Sequence, residues 1–253
     1  MMMNGLRYIA TIILVSGIFL TYSSCSKEQT NQCLGGRGET RTESRGFYPF
    51  SNVSVYDNIS LMIIQGQEYQ ASIITGKNIM PFITTEIKNN TLIIHNESAC
   101  PMLSDPWNYV QVELTLPDFD SLFISTAGEV AIADTFRTDE SWIRIEDSSG
   151  DINLNFDVFR LYVNYQKGTS DVFINGQGHD GIFYTAAYGV LDTREFIPLH
   201  TVINNSSSND CFVASGIKTL DAKISNLGNI YYLNDPLYLI EVIEGSGELI
   251  KLD

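Results

Sequence analysis

From Ser121 onward the chain repeats itself. Aligning the turns that end in Gly or a small polar residue brings Glu129, Asp151, Asp171, Val190, Asp210, Asn229 and Glu248 into register, at spacings of 22, 20, 19, 20, 19 and 19 residues. A period near 20 without helical patterning marks a solenoid, in which one repeat is one rung and no rung can bury its apolar face alone. The residue after each registered position is apolar: Val130, Ile152, Val172, Leu191, Cys211, Ile230 and Leu249. These seven are expected to stack inside. Two positions further on come Ile132, Leu154, Ile174, Thr193, Val213, Tyr232 and Lys251, a second inward column that ends in a charged terminal rung. Because strand side chains alternate between faces, the residues between these two columns point outward: Ala131, Asn153, Phe173, Asp192, Phe212, Tyr231 and Ile250. An upstream strand precedes each turn, with Leu122 and Ile124, Ile143 and Ile145, Leu161 and Val163, Ala222 and Ile224, and Ile240 and Val242 facing in.

Two architectures make rungs of this length. Leucine-rich repeats need an LxxLxL strand and a fixed Asn, which this chain lacks. β-Branched and aromatic content, turns of variable length and the absence of helical patterning predict an all-β fold, a parallel β-helix. A β-sandwich whose strands merely recur is the competing architecture. With 44% hydrophobic and 18% charged residues, the chain can bury a proper core.

Upstream of the repeats, from Phe47 to Pro117, short strands and hairpins are expected. Ile59–Gln65 and Tyr69–Thr75 flank Gly66-Gln67, and Thr84–Lys88 and Thr91–Asn96 flank Asn89-Asn90, a pair that tolerates the positive φ of a tight hairpin. Val110, Val112, Leu114 and Leu116 alternate with polar residues, so one face of that strand is buried. Asn78–Ile83, with Pro81 inside, is short enough for only a helical turn.

The first residues read as an address. Arg7 is followed by the apolar run Ile9–Leu20 and by Ser23-Ser24-Cys25, the three parts of a secretory signal with a loose lipobox. A membrane-spanning helix needs roughly 20 apolar residues, more than this run supplies. Residues 1–24 are therefore expected to be a lipoprotein signal peptide, with Cys25 the lipid attachment site. Residues 25–45 are expected to be a polar tether, and 46–253 a single domain with a hairpin-rich part, 46–117, and regular rungs, 118–253. In an oxidising compartment Cys33, Cys100 and Cys211 allow at most one intrachain pair. Cys33 and Cys100, in loop contexts, are the expected disulfide, and three unlinked thiols are the alternative.

With the signal removed, 14 basic residues stand against 30 acidic ones. Such a charge repels phosphate backbones and anionic headgroups, so nucleic acid is excluded as a partner and membrane attachment falls to the lipid.

Several short motifs in order resemble the Bacteroidota family of the putative auto-transporter adhesin, head GIN domain. They are Cys33-Leu34-Gly35-Gly36-Arg37-Gly38, the Arg45-Gly46-Phe47 entry into FSNVSVYDNISLMIIQG, VELTLPDFDSL, SNLGNIYYLNDP and the closing EVIEGSGELIKL. The resemblance covers essentially Cys33 to Asp253. It implies a right-handed parallel β-helix, a cell-envelope or outer-membrane address and an adhesive role. Where the family carries small-Gly-Gly-Ser-Asp turns, this chain keeps Ala127-Gly128, Ser149-Gly150, Leu227-Gly228 and Ser246-Gly247.

Chemistry-bearing motifs are few. His95, His179 and His200 form no i, i+4 pair, and there is no GxSxG or CxxC, so no enzyme and no cofactor are expected. Along the acidic turn series, Asp151 and Asp171 lie one rung apart and are the weak calcium candidates. Acidic turn residues that bond their own backbone are the ordinary alternative. Phe173, Phe212 and Tyr231, with Tyr162 extending them, form the candidate ligand surface, since an outward aromatic stripe can dock sugar rings or a surface protein. The same rings stacking as a stabilising ladder is the plainer reading. The sequence thus predicts a lipid-anchored envelope binding protein. A carbohydrate-active β-helix enzyme, lyase or hydrolase-like, and a passive structural lipoprotein are the alternatives.

Overall fold

A computed structural model describes residues 36–98 and 110–253. Cys25, Cys33 and Cys100 lie outside the described residues, and with them the expected lipid site and disulfide. The chain forms a β-solenoid of about seven turns with parallel strands. The regular part runs from β8 (Ser121–Thr126) and β9 (Val130–Ile132) through β10 (Phe136–Ile145), β11 (Ile152–Tyr165), β12 (Val172–Thr185), β13 (Leu191–Asn205), β14 (Cys211–Ala214), β15 (Thr219–Ile224) and β16 (Ile230–Leu233) to β17 (Tyr238–Ile243) and β18 (Leu249–Lys251).

The register follows the 20-residue period. Ala131, Asn153, Phe173, Asp192, Phe212, Tyr231 and Ile250 pair in that order across six parallel contacts. Val130, Ile152, Val172, Leu191, Cys211 and Ile230 are fully buried, and Leu249 packs on the core edge. Five of these strands are tied down at their first residue. Val130, Ile152, Val172, Cys211 and Ile230 donate their N–H groups to the carbonyls of Asp151, Asp171, Val190, Asn229 and Glu248, one rung onward, at 2.8–3.0 Å. Long strands bend at corners, so that a third inward set appears: Phe136, Phe156 and Phe196 lie in one column, interrupted at Gly176. Gly176 has φ +113°, and a Cβ there would meet the Phe156 carbonyl at 1.9 Å. It sits within β12, just after the register shift between Phe173 and Asn175.

The beginning departs from the expected hairpins. β2 (Asn52–Asp57) and β3 (Ile59–Gln65) form a rung that lies parallel against β8 and β9, far ahead in sequence. Their other edges take β6 (Thr91–Asn96) and β7 (Val110–Leu116), again in parallel. The expected hairpin around Gly66-Gln67 does not form. β7, with Val110, Val112, Leu114 and Leu116 all buried, inserts between β3 and β4 (Gln70–Gly76) and serves both as a ladder partner. The Asn89-Asn90 hairpin does form, joining β5 (Ile83–Lys88) to β6, with φ +49° and +64° at its two turn residues. A single 3-10 turn covers Met80–Phe82.

Two further expectations are corrected. The tether does not reach residue 45, because Thr40–Gly46 is strand β1, antiparallel to β4. Being an edge strand it buries no apolar face, so its sequence carries only polar residues, and Arg45 fixes it by bonding the Ile83 carbonyl at 2.7 Å. In the last rung the inward phase is shifted by one residue. Leu239, Glu241 and Ile243 pair with the interior residues Leu220, Ala222 and Ile224, whereas Ile240 and Val242 continue outward columns and are about half exposed. Among the described residues no strand pairs with the far edge of β17, so alternation alone could not tell the inner face of this rung from its outer one.

Candidate functional site

Outward residues on the upstream strands build an extended aromatic surface. Pairing places Ser121, Trp142, Tyr162, Ile182 and Val202 in one column and Phe123, Arg144, Asn164 and Tyr184 in the next. Trp142 is 50% exposed, and its ring lies flat on Tyr162, with centroids 3.6 Å apart and planes 9° off parallel. Its indole N–H donates to Glu140 at 2.8 Å, which fixes the ring's rotation. Arg144 lies over Phe123 at 6.0 Å and is held by Glu146. The stack continues sideways from Phe123 to Tyr56 and from Tyr56 to His95. Phe123, Trp142, Tyr162, Ile182 and Tyr184 help line a hollow of about 440 Å³, whose walls are mostly ring and aliphatic carbon with Asn164, Ser121 and Arg144 as polar points. Concave, largely apolar surfaces with a few placed polar groups are the usual form of ligand sites.

The expected stripe is divided. Phe212 and Tyr231 do stack, at 5.1 Å and 15°. Arg194 covers Phe212 from the other side at 4.8 Å, and Asp192 holds that guanidinium through paired hydrogen bonds. The Asp192 hydrogen bond raises the pKa of Arg194 further above its ordinary value. Phe173 lies in the same column but is separated from Phe212 by Asp192. This group is a capped ladder of half-buried rings. Tyr162 does not extend it, because Tyr162 lies on the upstream strand, across the turn, and stacks on Trp142 instead. Trp142 was the residue that reasoning from the sequence missed. Its signal was present: Trp142 precedes Ile143 as Tyr162 precedes Val163, one 20-residue period apart.

The calcium candidates do not converge. Among the described residues, neither Asp151 nor Asp171 belongs to a group of three potential ligands. Asp171 spends a carboxylate oxygen on the Val190 N–H at 3.2 Å, and the same cap recurs from Asp210 to Asn229 at 2.8 Å and from Asn229 to Glu248 at 2.9 Å. Asp171, Asp210 and Asn229 therefore serve the backbone of the next rung, as short polar side chains do in turns. Cys211 is a free, fully buried thiol, and burial raises its pKa above the usual thiol range.

A parallel β-solenoid with outward aromatic columns is the class of protein that these observations define. Family comparison sharpens it. The chain belongs to the putative auto-transporter adhesin, head GIN domain family, whose model matches residues 49–236. Among solved structures it is similar to a putative adhesin from Bacteroides fragilis, with 16% identity over 85% of this chain and 97% of that one and a TM-score of 0.69. A putative lipid binding protein from Parabacteroides distasonis is similar at 17% identity, covering 86% and 98% of the two chains, with a TM-score of 0.67. A putative adhesin from Parabacteroides merdae matches at 14% identity over 86% and 98%, with a TM-score of 0.58. At these identities the likeness is one of fold. A search of the curated proteins finds no match.

Proposed function

We propose that this chain is a binding protein of the cell envelope, tethered through lipid on Cys25 and stiffened near its start by a Cys33–Cys100 disulfide, and that it docks glycan rings in the hollow beside Trp142. The observation that carries this reading is the half-exposed Trp142 face, backed by Tyr162 and flanked by Asn164 and Arg144. A sugar ring offers C–H faces to an aromatic platform and hydroxyls to amide and guanidinium donors, and this hollow supplies both kinds of surface. Large exposed aromatic surface costs solubility, and where it is kept it usually marks a contact site. An apolar ligand is the second reading, supported by the mostly carbon lining and by the name of the Parabacteroides distasonis neighbour. The envelope address rests on the signal-like first 24 residues and on the family.

The test is a glycan array followed by calorimetric titration of the best sugar, with a fatty acid titrated in parallel. Trp142→Ala is expected to weaken sugar binding at least about tenfold, since a central aromatic anchor carries much of a site's binding energy. Phe212→Ala should leave it unchanged. Binding that survives Trp142→Ala refutes the assignment of the hollow, and sugar cleavage abolished by changing a clustered acid would replace the binding reading with an enzymatic one.

A further inference from the structure

Two of the three histidines of the chain meet at one corner of the solenoid. Asp180 and His200 are paired in register on adjacent rungs, and His179 precedes Asp180 at the bend of β12. The imidazole centroids of His179 and His200 are 5.3 Å apart. One ligand atom from each of His179, Asp180 and His200 lies within 4.8 Å of the other two, and all three residues are half-buried.

Each member is held by a neighbour. His179 stacks on Phe159 at 4.6 Å, and its Nδ1 lies 2.9 Å from Asp180 Oδ1. Arg160 donates to the other carboxylate oxygen, Oδ2, at 3.1 Å. His200 Nδ1 shares a hydrogen bond with the Thr219 hydroxyl at 2.8 Å, and in the tautomer whose Nδ1–H donates there Nε2 carries the lone pair. Asp180 Oδ2 and His200 Nδ1 thus have outer partners of the kind that orient metal ligands in established sites, while the His179–Asp180 contact lies within the ligand set. His179 also lines an open groove of about 800 Å³ together with Arg137, Asp157 and Gln177, so a bound ion would keep a position accessible to water or to a ligand group.

We propose that His179, Asp180 and His200 form a binding site for a borderline divalent transition-metal ion of the Zn²⁺ kind. Two imidazoles and a carboxylate are the donor set such ions prefer over the all-oxygen shells of Ca²⁺ and Mg²⁺. Zinc holds these ligands at about 2.0–2.1 Å, which puts neighbouring donors roughly 3.4 Å apart. Small side-chain rotations across the corner close the difference. Because the ligands come from two rungs, the ion would also clamp β12 to β13.

The untagged, metal-free full chain is titrated with Zn²⁺ by calorimetry. One equivalent is expected to bind and to raise the unfolding temperature, because an ion that binds only the folded state stabilises it. His179→Gln and His200→Gln should each weaken binding at least about tenfold and abolish the thermal shift, while His95→Gln changes neither. If either variant fails to fold, Cu²⁺ bound to the native chain reports the ligands directly, with electron paramagnetic resonance expected to show coupling to two imidazole nitrogens. Absence of saturable one-equivalent binding, Zn²⁺ affinity unchanged in the folded glutamine variants, or a copper spectrum without nitrogen coupling would each overturn the proposal.

Discussion

Tyr165 occupies an inward column between Ile145 and Thr185 and is fully buried, with its hydroxyl donating to the Ser170 carbonyl at 2.8 Å. Burial pushes its pKa up to about 12. An unfolded chain would ionise this phenol near 10. The folded state therefore binds the proton more tightly, so this contribution to stability is whole below pH 10 and is lost as the pH rises toward 12. Two units correspond to about 3 kcal/mol. Tyr165→Phe should cost about 1 kcal/mol at neutral pH for the lost hydrogen bond, yet lose less stability than the native chain between pH 10 and pH 12. Parallel denaturation curves at both pH values check this, and equal losses in the two proteins would disprove it. At this scale the sequence was legible where alternation held. It placed Cys211 in the interior and put Phe212 beside Tyr231. It did not reveal that Arg194 caps that pair, because the reach and direction of a long side chain are set by neighbours on other rungs.

At the scale of the element, the turns carry the constraint. The ideal Cβ of an alanine at Gly150 would stand 2.3 Å from the Gly128 carbonyl oxygen, and one at Gly128 the same distance from the Ile59 oxygen. Backbone cannot yield as a side-chain tip can, so the stacked turns need glycine for close approach. Gly150→Ala is expected to lower stability by about 1–3 kcal/mol, the usual cost of overpacking. Gly46→Ala meets nothing within 4 Å and should stay within about 0.5 kcal/mol of the native chain. Urea midpoints compare the two, and a Gly150→Ala protein as stable as the native one would show that neighbouring rungs can move apart. The Asn89-Asn90 hairpin was readable because it depends on local backbone chemistry, and the glycine turns because they recur with the period. The β2–β3 rung was not, since its partners in β8 and β9 lie nearly 70 residues away, as in the bond from the Ile59 N–H to the Thr126 hydroxyl over a separation of 67.

Across the whole molecule the two ends differ. The first rungs are covered by the antiparallel strands β1, β4 and β5, while β17 and β18 leave edges open. Leu239, Ile240, Val242 and Ile243 are exposed there, a template for further pairing. The interior column Val163, Phe183, Ile203 and Ala222 ends in Glu241 at that edge. An inward-directed charge is a recognised guard against stacking of sheet edges. Glu241→Leu should shift the chain toward larger species at equal concentration in sedimentation velocity, and an unchanged profile would remove that role from Glu241. The sequence by itself determined the period, and the inward columns and register of the rungs from β8 up to the last one, because a strand with one buried face cannot slip by a residue without exposing its core. Tertiary structure alone decided which side chains of different columns meet. Arg194 and Phe212, and His179 and His200, come together only when rungs about 20 residues apart are stacked and their side chains reach across columns, a proximity that no local propensity encodes.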